Sequence, residues 1–200
     1  MEEKKKFLIA GLGNPGRSYE KTRHNVGYEV LRAYAKKNDV YLRISMKHKG
    51  KIAQIQKKEG KIFLLQPTTY MNLSGQAVFS LTNFYKISPK NVLIIVDDVD
   101  IPLGEFRIKK EGGTGGHKGL ISVEENLGTQ AYSRLRVGVG GRKLGQIASH
   151  VLGSFTTKEK KQLPEIFNNA SIIIDLWLKE GMVAAMNIAN IRQKKTQEEK

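Results

Sequence analysis

Four histidines, at positions 24, 48, 117 and 150, are the side chains of this 200-residue chain that ordinarily titrate near neutral pH. His24 lies in the polar segment Thr22-Arg23-His24-Asn25. There it reads as a general base or as an incidental surface residue. Asn25 has a purely structural reading as a helix N-cap. The run Asp97-Asp98-Val99-Asp100 directly follows the apolar stretch Val92–Val96. Carboxylates in that place could bind a hard cation, orient an imidazole, or form a solvated turn capped by Asp100. Side chains alternate along a strand, so Asp98 faces away from Asp97 and a three-carboxylate cage is disfavoured.

Three more loops carry chemistry. Gly11-Leu12-Gly13-Asn14-Pro15-Gly16 matches the spacing of a dinucleotide fingerprint. The helical period begins only near Asn25, whereas that fingerprint must open a helix onto the pyrophosphate. The turn reads better as one that presents the Asn14 amide. In Pro67–Gly75, Tyr70 and Met71 place apolar groups beside the amide of Asn72. They either pack under the loop or line a substrate groove, and Ser74 can cap the next helix. Gly112-Gly113-Thr114-Gly115-Gly116-His117-Lys118-Gly119 precedes a helix. It reads as an anion-binding nest of backbone N–H groups or as simple flexibility.

The elements that position these loops follow from apolar periodicity. Phe7–Leu12 and Val92–Val96 read as fully buried strands. Ile52–Gln56 and Ile62–Gln66 form a hairpin closed by Pro67. Phe106–Lys109 and Arg134–Val139 are further strands. Helices are expected over Asn25–Lys37, from Ala77 to Tyr85, over Lys118–Leu127 and from Thr157 onward. Thr157 caps the first of these C-terminal turns, Pro164 opens a second helix, and Met182–Ile191 adds a last turn or two. The pattern predicts an α/β fold: one domain over residues 1–191, with a frayed polar tail at 192–200.

Composition bounds the function. With no cysteine, disulfides, thiolate nucleophiles and Cys-ligated metals are excluded, and a reducing compartment is expected. No apolar run approaches the ~20 residues of a membrane span, so a soluble cytoplasmic protein is expected. Lys and Arg number 34 against 19 Asp and Glu, a net charge of +15 spread over both halves of the chain. Such a body favours a polyanionic partner. No common nucleic-acid-binding module is recognisable.

In this order and nearly these words, the loops resemble the bacterial-type peptidyl-tRNA hydrolases. The resemblance runs from Phe7 to Asn187 and includes Gly11–Gly16 with Tyr19, Thr22–Asn25 with Gly27, Pro67–Gly75, Asp97–Gly104, Gly112–Gly119, Arg134–Gly140 and Val151–Phe155. It implies a monomeric α/β enzyme with a twisted mixed sheet flanked by helices and no metal or organic cofactor. Such an enzyme cleaves the ester joining a peptide to the 3′-terminal ribose of tRNA. By the same resemblance His24 is the catalytic histidine and Asp97 its carboxylate partner. Asn14 and Asn72 bind substrate and the reacting carbonyl, Tyr70 and Met71 line the peptide groove, Tyr19 lies at the same cleft, and His117 and Lys118 are counted with these substrate-binding residues. Lys109 and Arg136 form a basic patch for the tRNA 5′ phosphate and acceptor stem, which Arg142 and Lys143 extend. One position departs: Lys118 stands where the family usually has an asparagine. The chain has no G-x-S-x-G elbow, so direct attack by water is expected. A noncatalytic RNA-binding protein and a dinucleotide-dependent oxidoreductase are the competing readings.

Overall fold

A computed structural model describes residues 5–141 and 147–190. Seven strands form one sheet: β1 (Lys6–Gly11), β2 (Arg43–Ser45), β3 (Gly50–Lys57), β4 (Gly60–Pro67), β5 (Val92–Asp98), β6 (Phe106–Lys109) and β7 (Ser133–Gly138). Their order is β2-β3-β4-β1-β5-β7-β6. The central pairs β1–β4, β1–β5 and β5–β7 are parallel. Antiparallel pairs complete both edges. The expected mixed α/β sheet is therefore present.

The central strands are apolar throughout because helices cover both faces. On one face, Phe7, Ile9, Leu93 and Ile95 pack with α1 (Val26–Lys37), α5 (Thr157–Lys179) and α6 (Met182–Ala189). On the other, Leu8, Ala10, Ile94 and Val96 pack with α2 (Ser74–Tyr85) and α3 (Lys118–Leu127). The short α4 (Ile147–Leu152) lies near the turn that carries His24.

Several boundaries differ from the sequence reading. Thr156, not Thr157, caps α5: its side chain accepts from the Glu159 N–H while Glu159 reaches back to the Thr156 N–H, a complete capping box. Pro164 lies inside α5 rather than opening a helix, so the helix runs unbroken for 23 residues. Neither Asn25 nor Ser74 makes a side-chain cap bond at a helix start. The edge strand β2 was not expected; its three residues carry little apolar pattern. The predicted tail at 192–200 lies outside the described residues.

Candidate active site

The carboxyl ends of the adjacent parallel strands β1 and β5 meet the loops singled out above, the usual place for a site in an open α/β sheet. Around them lies a cleft of about 660 Å³. It is lined by Asn14, Tyr19, His24, Tyr70, Met71, Asn72, Asp97, His117, Lys118 and Arg136, among others. Ten of the expected site residues thus share one cavity. Lys109 lies apart, exposed on the edge strand β6. Arg142 and Lys143 lie outside the described residues.

His24 sits in a single 3-10 turn, Arg23–Asn25, ahead of α1. Helix α1 can approach the strand ends closely because its second residue is Gly27. A Cβ there would lie 2.5 Å from both the Ile95 and Leu12 carbonyl oxygens. The turn is anchored on its far side by Arg23, whose guanidinium donates to the Ser154 carbonyl at 2.9 Å and to Glu159 at 2.8 Å.

Asp97, the penultimate residue of β5, is 3% exposed. Its Oδ1 lies 2.8 Å from His24 Nδ1 and 3.0 Å from His117 Nε2. Burial pushes the Asp97 carboxyl up, but the hydrogen bonds from His117 and His24 outweigh it and hold the group well below the usual carboxylate range. His24 Nε2 has no hydrogen-bond partner among the described residues, and the ring lines the cleft. Asp98 is engaged separately: Oδ2 accepts from Arg136 at 3.1 Å and Oδ1 from the Asp100 N–H at 2.9 Å. The two neighbouring carboxylates therefore serve different partners, as strand alternation predicts.

Asn14 is held by a residue whose role the sequence did not disclose. Asn25 Oδ1 accepts from the Asn14 N–H at 2.7 Å, and Asn25 Nδ2 donates to the Asn14 carbonyl at 3.0 Å. The Met71 N–H donates to Asn14 Oδ1 at 2.8 Å. Among the described residues, these bonds leave the Asn14 Nδ2 hydrogens as its uncommitted donors. Asn72 is exposed, and its amide makes no hydrogen bond among the described residues. Tyr70, 54% exposed, meets Tyr19 edge-on with ring centroids 6.3 Å apart, while Met71 is buried beneath.

The glycine loop is built differently from an anion nest. Its Gly116 and His117 N–H groups fold back onto Thr114, at Oγ1 and the carbonyl. The left-handed φ values of Gly115 and Gly116, +61° and +76°, make this turn possible. The fully buried Arg134 holds the loop through the Gly112 and Gly113 carbonyls. Arg136 holds it through the Gly113 and Thr114 carbonyls at 3.2 and 3.0 Å. The Arg136 guanidinium, expected at a tRNA patch, is thus already engaged by this loop and by Asp98.

The sequence also missed the cleft wall formed by Ile147, Ala148, Val151 and Leu152 of α4. Their spacing is a weak amphipathic signal in a helix of six residues. One potential ligand atom from each of His24, Asp97 and His117 lies within 4.8 Å of the others, and these residue types can ligate a transition metal. A metal on His117 Nε2 would require that nitrogen to lose its proton. Nδ1 of the same ring cannot take the proton up, because it accepts from the Gly119 and Leu120 N–H groups at 3.1 and 3.3 Å. The donor set as hydrogen-bonded therefore disfavours a metal.

The family model described as peptidyl-tRNA hydrolase matches residues 8–199. The peptidyl-tRNA hydrolase of Desulforamulus reducens is 44% identical over 183 residues, 92% of this chain and 88% of the relative. That of Alkaliphilus oremlandii is 39% identical over 183 residues, 92% of this chain and 98% of the relative. The crystal structure of peptidyl-tRNA hydrolase from Acinetobacter baumannii superposes with a TM-score of 0.86 at 34% identity, covering 95% of this chain and 97% of that one.

Proposed function

Because the chain belongs to the peptidyl-tRNA hydrolase family, we infer that its cleft carries out the reaction through His24, Asp97, Asn14 and Asn72. The reaction is hydrolysis of the ester between a peptide and tRNA. His24 Nε2 takes a proton from water as the water oxygen attacks the ester carbonyl. Asp97 holds the opposite nitrogen of the ring and stabilises the imidazolium that forms. The Asn14 and Asn72 amides donate to the developing oxyanion, each such donor contributing about 3–4 kcal/mol to the transition state. The imidazolium then returns its proton to the departing ribose oxygen. The products are a peptide carboxylic acid and a tRNA with a free terminal hydroxyl.

The observation that carries this reading is the uncommitted Nε2 of a histidine whose other nitrogen is held by a buried carboxylate. The apolar wall of Tyr19, Tyr70, Met71 and α4 suits a peptide of varied sequence. Lys109 and Lys118 are exposed cations; in this reading they meet tRNA phosphates, and Arg142 and Lys143 extend that surface to the acceptor stem. Arg136 contributes chiefly by holding the glycine loop. We read residues 1–191 as one catalytic domain acting as a cytoplasmic monomer. No described helix is long and apolar enough to cross a membrane.

The dinucleotide reading loses its footing, since Gly11–Gly16 leads into a three-residue 3-10 turn rather than a helix. Incubating the purified protein with peptidyl-tRNA tests the proposal: free peptide and deacylated tRNA should appear together, and Asn14→Ala should lower kcat about 10²-fold. Intact substrate after prolonged incubation would contradict it.

A further inference from the structure

Two imidazoles converge on one carboxylate oxygen, yet their outer nitrogens meet opposite surroundings. We propose that His117 is a positioning residue, its proton locked on Nε2 by the amino end of α3, and that this lock decides which histidine can act as base. The inference rests on the assignment of His24 and Asp97 to the reaction.

His117 is the N-cap of the ten-residue α3, and its Nδ1 accepts from the Gly119 and Leu120 N–H groups. A proton on Nδ1 would point at two backbone donors and leave both without a partner. The neutral ring therefore carries its hydrogen on Nε2, which donates to Asp97 Oδ1 at 3.0 Å. An ionised carboxylate only accepts, so the His24 ring must present Nδ1–H to the same oxygen at 2.8 Å. The two neutral rings thus hold opposite tautomers. Both nitrogens of His117 are spent on protein partners, so it can neither take a proton from water nor accept a hydrogen bond from substrate. Only His24 keeps a bare nitrogen.

The second donor has a chemical consequence. Asp97 Oδ1 shares its negative charge between two N–H groups, so it draws less strongly on the His24 proton than it would alone. Helix α3, through His117 and Asp97, tunes a base it does not touch. The other charged groups at this cleft are Asp98, which is paired with Arg136, together with Asp100 and Lys118. None of the hydrogen bonds to Asp97 Oδ1 comes from them.

Long-range ¹H–¹⁵N imidazole correlation spectra of the full-length protein, recorded above the histidine titration range, read the tautomers directly. His117 should appear as the Nε2–H form and His24 as the Nδ1–H form. A His117 ring protonated on Nδ1, or averaging between tautomers, would overturn the proposal. This result does not depend on any measured activity, so it stands apart from the functional reading. The kinetic arm uses His117→Asn, whose side-chain oxygen can still cap α3 but whose amide is too short to reach Asp97. With the second donor gone, Asp97 draws more strongly on the His24 proton, so the acidic limb of the pH–rate profile should move upward while KM holds. A raised KM with unchanged kcat would make His117 a substrate ligand, and wild-type kinetics would make it a cap alone. Either outcome would overturn the inference.

Discussion

Asp97 and Asp175 are both partly or fully buried carboxylates that collect donors, and both are held below the usual carboxylate range. Asp175, on α5, accepts from Tyr34 and Lys57 at 2.8 Å each and from Lys37 at 3.0 Å. Burial pushes it up, but the bonds from Lys57, Lys37 and Tyr34 outweigh that penalty. These partners join α1, β3 and α5 into one staple. Asp97 likewise joins three segments, yet one of its partners retains an unused nitrogen that faces a cavity. The shifted carboxyl alone does not distinguish the two clusters. What distinguishes them is whether an atom capable of chemistry is left over after the protein's own hydrogen bonds have been made.

That contrast breaks if the two carboxylates respond alike to the same substitution. Asp97→Asn should lower kcat about 10²–10³-fold, because the ring of His24 loses the charge that orients it and stabilises its imidazolium. Single-turnover assays check this. Asp175→Asn should leave kcat unchanged and reduce folding stability by about 1–3 kcal/mol, since charged donors lose an ionised acceptor. Urea unfolding reads that loss.

Acid sharpens the same comparison. Both carboxyls lie lower in the folded than in the unfolded chain, where a value near 3.8 applies. Their stabilisation is therefore complete above that value and is lost as pH falls below it toward the depressed folded values. The denaturation midpoint of Asp175→Asn should fall less steeply below about pH 4 than that of the parent.

The smallest effects belong to cations outside both clusters. Lys109→Ala should weaken tRNA binding a few-fold and flatten the dependence of log K on log salt by about one unit. Cleavage of a minimal ester carrying only the terminal nucleotide should not change. Lys118→Asn should act in the same sense but more weakly, with an equal or better rate on the minimal ester. A large fall in that rate would place Lys118 among the reacting groups.

Much of this was legible in the sequence because turn chemistry is local. Glycines, prolines and polar residues after apolar runs marked the cleft loops, and unbroken apolar runs marked the strands buried on both faces. What stayed hidden depends on partners distant in the chain. Asn25 reads locally as a helix cap, yet its amide is spent on Asn14, eleven residues back. His117 reads as a cleft residue, whereas its ring bridges α3 and β5. Arg136 reads as a free surface cation until the glycine loop folds over it. The wall formed by α4 is too short to announce itself by periodicity.

The central claim is that the bare Nε2 of His24 activates the attacking water. Single-turnover cleavage of peptidyl-tRNA by His24→Ala, with tRNA affinity measured on the same sample, tests it most directly. The account predicts a fall in rate of about 10²–10⁴-fold at unchanged affinity. A variant that binds tRNA as the parent does and cleaves at nearly the parent rate would contradict it.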